Sequence, residues 1–119
     1  MIRLVLLAVA LFFAIEGAIA AFWPAWAKRK MSDLQDVPDR TLGFVGFLFI
    51  VIGGVVAGLT EGLLQIACLA IALEGLLYGF LPMVMKKVMR YGVASGEAVV
   101  KVWGETALGI GAAGLVLFY

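Results

Sequence analysis

The chain has 119 residues, of which 65% are hydrophobic and 14% charged, with net charge +1 and mean hydropathy +1.13. A water-soluble domain is nearer half apolar and a quarter charged, so this balance excludes one and indicates an integral membrane protein. The near-neutral charge predicts no nucleic-acid partner, and the absence of histidine removes the commonest metal ligand and general base.

The first apolar run, Leu4–Trp23, approaches the roughly 20 residues an α-helix needs to cross a bilayer. It carries one carboxylate, Glu16, beside Gly17. Ala18-Ile19-Ala20 fits a signal-cleavage site, but retention is expected, because the matching later stretch Leu76-Leu77-Tyr78 has no small-residue site. Pro24 stops this span and opens a new helix at its first turn. There Trp26, Ala27, Met31, Leu34 and Val37 recur at helical spacing among Lys28, Arg29, Asp33 and Asp36, which predicts a short amphipathic helix in the membrane interface. Trp23 and Trp26 suit the aromatic belt.

The second run, Leu42–Leu59, has room to extend back toward Pro38. Gly46 and Gly53 share one of its faces, and Gly54 with Gly58 forms a G-x-x-x-G step; both suit close helix packing in lipid. The turn Thr60-Glu61-Gly62 leads into the third run, Leu63–Met85, which contains Glu74, Gly75 and Pro82. A second interfacial helix follows, with Met85, Val88, Met89 and Tyr91 among Lys86, Lys87 and Arg90. Gly92 is expected to end it and Ser95 to cap the next helix ahead of Glu97. The fourth run, Val99–Phe118, carries Gly104 and Gly111 on one face, and Gly109 with Ala113 as a further small-residue step.

The two Glu-Gly pairs lie 58 residues apart (74−16), as do the two prolines (82−24). The same shift superposes Lys28 on Lys86, Gly46 on Gly104 and Gly53 on Gly111. Apolar matches mean little in so hydrophobic a chain, but Glu, Pro and Lys in one register indicate a tandem duplication. The expected fold is therefore an all-α membrane protein with four transmembrane helices, arranged as two helix–interfacial helix–helix repeats over 1–59 and 60–119. Both repeats would enter the membrane in the same direction, related by a two-fold along the membrane normal. Eight of the nine basic residues fall between spans one and two, between spans three and four, or at the start of four; only Arg3 lies elsewhere. The positive-inside rule then puts both basic segments in the cytoplasm and both termini outside it.

The order Glu-Gly, Pro, a Lys/Arg cluster, "VPDRTLGFVG" (Val37–Gly46) and a Gly-rich span resembles the YjeT-type family of small bacterial inner-membrane proteins. The resemblance covers Leu7 to Leu59 well. The second unit has "SGEAVV" (Ser95–Val100) where the Pro-Asp-Arg step would be. It implies a bacterial inner-membrane protein built as a fused double copy of a two-span unit. By the gene position of family members, it also hints at membrane-protease modulators as partners.

An acidic residue at a span centre is unfavourable by about 2.5–3.5 kcal/mol on insertion scales, so Glu16 and Glu74 are candidate functional residues. Both lie six residues before an aromatic residue at the span end, Phe22 and Phe80, hence off-centre toward the basic side. The structural expectation is that they hydrogen-bond across the helices, with Tyr78 on the Glu74 face at i+4, and that Glu105 pairs with Lys101. Gly17 and Gly75 would admit the neighbouring helix. The functional expectation is an accessory or scaffold subunit in the lipid bilayer that binds another membrane protein or self-associates, is not an enzyme, and has no metal or cofactor. The rival is a small proton-coupled transporter that uses Glu16 and Glu74.

Overall fold

With no water in the hydrocarbon region, backbone amides of apolar segments are satisfied inside helices. The computed structural model, which describes residues 2–119, is accordingly built of six helices, with no strand among the described residues. They are α1 (Ile2–Phe22), α2 (Pro24–Gln35), α3 (Asp39–Leu59), α4 (Leu63–Phe80), α5 (Pro82–Ala94) and α6 (Glu97–Phe118). Helices α1, α3, α4 and α6 are long and apolar enough to cross a membrane. The short helices α2 and α5 each separate two of them.

Proline sets the joints. The run expected to continue to Met85 stops at Phe80, because Pro82 has no N–H with which to continue the ladder. Pro24 and Pro82 instead occupy the first helical position of α2 and α5. The last amides before them still bond backward, Trp23 N–H to Ile19 O at 2.8 Å and Leu81 N–H to Leu77 O at 2.9 Å. Helices α3 and α6 begin earlier than the apolar runs, at Asp39 and Glu97. Val37 lies past the end of α2, so it does not extend that helix's apolar face. Gly92 does not end α5. It is buried inside it, with the Met31 side chain of α2 where its own would be. Ser95 does not cap α6; its hydroxyl donates back to Tyr91 O at 2.8 Å, and Gly96 precedes the helix.

The spanning helices lie in the order α3, α4, α1, α6, and the Cα extents are 39 × 33 × 18 Å. The principal contacts join α1 to α6 and α4 to α3, and a smaller one joins α1 to α4 at the centre. Thus α1 does not pack chiefly on α3, the span that follows it, but on α6 at the far end of the chain. Two ties hold the row at the end opposite α2 and α5. Gly62, at φ 71°, makes the tight turn between α3 and α4, a backbone conformation that side-chain-bearing residues rarely adopt. Arg3 donates from Nε to Phe118 O at 2.7 Å and from its second guanidinium nitrogen to Tyr119 O, joining the start of α1 to the end of α6.

The packed pairs meet backbone to backbone. A Cβ on Gly17 would stand 2.6 Å from Gly104 O and 2.8 Å from Ala107 C, and one on Gly75 would collide with Gly46 O and stand 2.8 Å from Ile50 N. A Cβ on Gly53 would stand 2.7 Å from Cys68 O, and one on Gly111 2.6 Å from Ala10 O. Each α1–α6 partner lies 58 residues from its α3–α4 counterpart: Gly104 from Gly46, Gly111 from Gly53, Cys68 from Ala10. Gly54 and Gly58 are different. A Cβ there would meet nothing within 4 Å, and the same is true of Gly109.

This contrast predicts the response to alanine. Gly17→Ala and Gly75→Ala should each lower unfolding stability by about 1–3 kcal/mol, the range for overpacking, while Gly54→Ala should stay within about 0.5 kcal/mol. Denaturant titration in micelles measures both. Equal effects at packed and open glycines would contradict the interface.

Candidate functional site

Three polar features stand out on this frame. The first is the α1–α4 seam. Ala8, Phe12 and Glu16 recur every fourth residue along one face of α1, and Ile66, Ala70, Glu74 and Tyr78 do so along α4. Ala8, Ile66 and Ala70 are buried where these faces meet. Glu16 on α1 and Glu74 and Tyr78 on α4 thus stand on the two helices that meet at the centre of the row. The structure brings the two sequence-predicted carboxylates onto neighbouring helices. It does not join them by hydrogen bonds. Among the described residues neither carboxylate, nor the Tyr78 hydroxyl, has a hydrogen-bond or ion-pair partner. The expected bond across the helices is absent because Gly17 and Gly75 admit α6 and α3 on the other flank of each helix, away from the seam. The expected Lys101–Glu105 pair is also absent, and both side chains are exposed.

Two carboxylates carried by neighbouring helices can take up a proton or accept a cationic or hydrogen-bonding group. No group of three or more His, Cys, Asp or Glu side chains forms a metal-type cluster among the described residues. One open crevice near the seam is apolar, lined by Val5, Ala8, Leu69, Ala72 and their neighbours. Another lies between Ile19, Trp23 and Trp26. Neither includes a carboxylate.

The second feature was not anticipated. Lys86 turns inward, its side chain only 13% exposed, and its Nζ lies 2.8 Å from Asp39 Oδ1 while donating to Val37 O. Gln35 Nε2 donates to Lys86 O at 2.9 Å. One lysine of α5 therefore clamps the segment between α2 and α3. A carboxylate and a carbonyl share its proton donors, an arrangement worth about 1–3 kcal/mol for a charge-assisted bond. The signal was present in the periodicity: Lys86 is three residues before the buried Met89 and shares its face, whereas Lys87, two residues before it, lies nearly opposite.

The third feature is the α2–α5 layer. Ala27 and Met89 are buried in it, and Gly92 abuts Met31. Trp23, Trp26, Val84, Val88 and Tyr91 remain exposed, and Lys30 Nζ sits 5.5 Å from the Trp26 ring centroid.

Residues 5–60, just under half of the chain, match the model of a family described as an uncharacterised protein conserved in bacteria (DUF2065). The matched segment covers α1, α2 and α3 almost completely. No curated protein and no solved structure matches the chain.

Proposed function

We propose that this chain is a non-catalytic subunit of a bacterial inner-membrane complex, an accessory or scaffold element that binds another membrane protein or a second copy of itself. One observation carries the reading. Glu16 and Glu74 stand on the two helices that meet at the central seam of an apolar row, and among the described residues nothing is bonded to either. An intramembrane carboxylate without an internal partner is unfavourable and points to an external one. Transport through the same carboxylates has less support, since the crevices described above are apolar and exclude them.

In this proposal the chain is two fused copies of a two-span unit, related by a two-fold along the membrane normal. The 58-residue shift in sequence, the recurrence of the glycine contacts under the same shift, and a family match that spans one unit all favour it. The first span of each copy then pairs with the second span of the other. The basic residues gathered around α2 and α5 favour an orientation with that layer in the cytoplasm.

Photo-crosslinking from Ile15, exposed and adjacent to Glu16, tests the partner reading in native membranes. A discrete protein adduct is expected, and it should weaken in a Glu16→Gln/Glu74→Gln variant. Labelling of lipid alone, or an adduct indifferent to both substitutions, would argue against the proposal. The orientation is tested by a phosphatase reporter fused after Tyr119. It should be active outside the cytoplasm, and activity of a cytoplasmic reporter at that position would reverse the assignment.

A further inference from the structure

A single residue separates α2 from the end of α1 and α5 from the end of α4, so the layer they form starts at the boundary of the spanning region. That position is marked by exposed Phe22, Trp23, Phe80 and Leu81. A helix held at such a boundary meets lipid headgroups on whatever face it does not bury.

The buried face of α5 is defined. Met89 and Gly92 pack toward α2, and Lys86 is committed to Asp39 and Val37. The opposite arc of α5 is exposed and has two adjoining edges. Val84, Val88 and Tyr91, exposed by 50%, 57% and 62%, form an apolar edge at i, i+4 and i+7. Lys87 and Arg90, three residues apart and both exposed, form a basic edge beside it. Helix α5 contains no acidic residue that could neutralise them. On α2, Arg29 and Lys30 are likewise exposed, with Lys30 near the Trp26 ring.

An exposed apolar edge bordered by unneutralised basic residues, fixed at the level of the headgroups, is complementary to anionic phospholipid: acyl chains meet the apolar edge and phosphate meets the cations. We propose that the exposed face of α5, with Lys87 and Arg90 as phosphate ligands and Val84, Val88 and Tyr91 against the acyl boundary, binds anionic phospholipid headgroups. Lys86 takes no part, because its ammonium is held inside the layer. This rests on the four spans crossing a membrane and is independent of any protein partner at Glu16 and Glu74.

The test uses the full chain in mild detergent, presented with equimolar phosphatidylglycerol and phosphatidylcholine, with bound lipid counted by native mass spectrometry. Phosphatidylglycerol adducts should exceed phosphatidylcholine adducts severalfold. Lys87→Gln and Arg90→Gln should each reduce that ratio by about fivefold at most. Lys87→Arg should keep it, and Arg3→Gln, at the opposite end of the row, should leave it unchanged. Raising salt should lower the ratio in the unsubstituted chain, a readout that needs no variant to fold. A ratio near one, a ratio insensitive to salt, or an unchanged ratio in the Lys87→Gln/Arg90→Gln variant would overturn the proposal.

Discussion

The contact on which the rest of this structure depends is the backbone-to-backbone approach of α1 to α6 and of α3 to α4. Lipid chains are as apolar as leucine, so helices in a bilayer gain little from burying ordinary apolar side chains and must gain from close packing instead. Gly17, Gly46, Gly53, Gly75, Gly104 and Gly111 supply that closeness, and a Cβ at any of them would meet neighbouring main chain. Because α1 finds its partner in α6 and α4 finds its partner in α3, neither half of the chain has its main helix contact within itself. The two halves are interlocked, and α1 and α4 are thereby brought side by side at the centre of the row.

Other features follow from that placement. The α1–α4 seam inherits Glu16 and Glu74, one from each half, while the glycines beside them serve the outer contacts. The prolines end α1 and α4 and turn the chain into α2 and α5, which pack on one another across the same centre. Lys86 then fixes this layer to the start of α3 through Asp39 and Val37, and leaves Lys87 and Arg90 outward. The polar chemistry of the protein is thus concentrated in a carboxylate pair at the seam and a basic layer at one end.

Much of this architecture was legible in the sequence, because lipid imposes simple rules. Length and hydropathy identify the four spans, and Pro24 and Pro82 mark where two of them end. What the sequence did not disclose is pairing. Gly46 and Gly53 define a face of α3, yet nothing in their spacing says whether that face meets α1 or α4. Gly54 and Gly58 carry an equally good small-residue signature, about a third of a turn away, and that face is open. A helix can offer two such stripes and use one. Gly92 likewise reads as a helix terminator, whereas its lack of a side chain serves contact with Met31. Lys86 reads as one more solvated charge, and only its phase relative to Met89 hints at the clamp. The carboxylates were found by sequence, as was their relation by the 58-residue shift. Their lack of an internal bond was not, since it depends on which flank of α1 and α4 the neighbouring helices occupy.

The interlocked pairing can be measured directly by disulfide trapping in native membranes. A Cβ on Gly114 would stand 2.8 Å from Ala10 Cβ, closer than the roughly 3.8 Å of a relaxed disulfide, so in a Cys68→Ser background the pair Ala10→Cys and Gly114→Cys should oxidise within one chain once α1 and α6 separate by about 1 Å there. A cysteine at Ala10 combined with one at Val51, on α3, should not. Efficient trapping of α1 to α3, with none of α1 to α6, would contradict the arrangement on which the account rests.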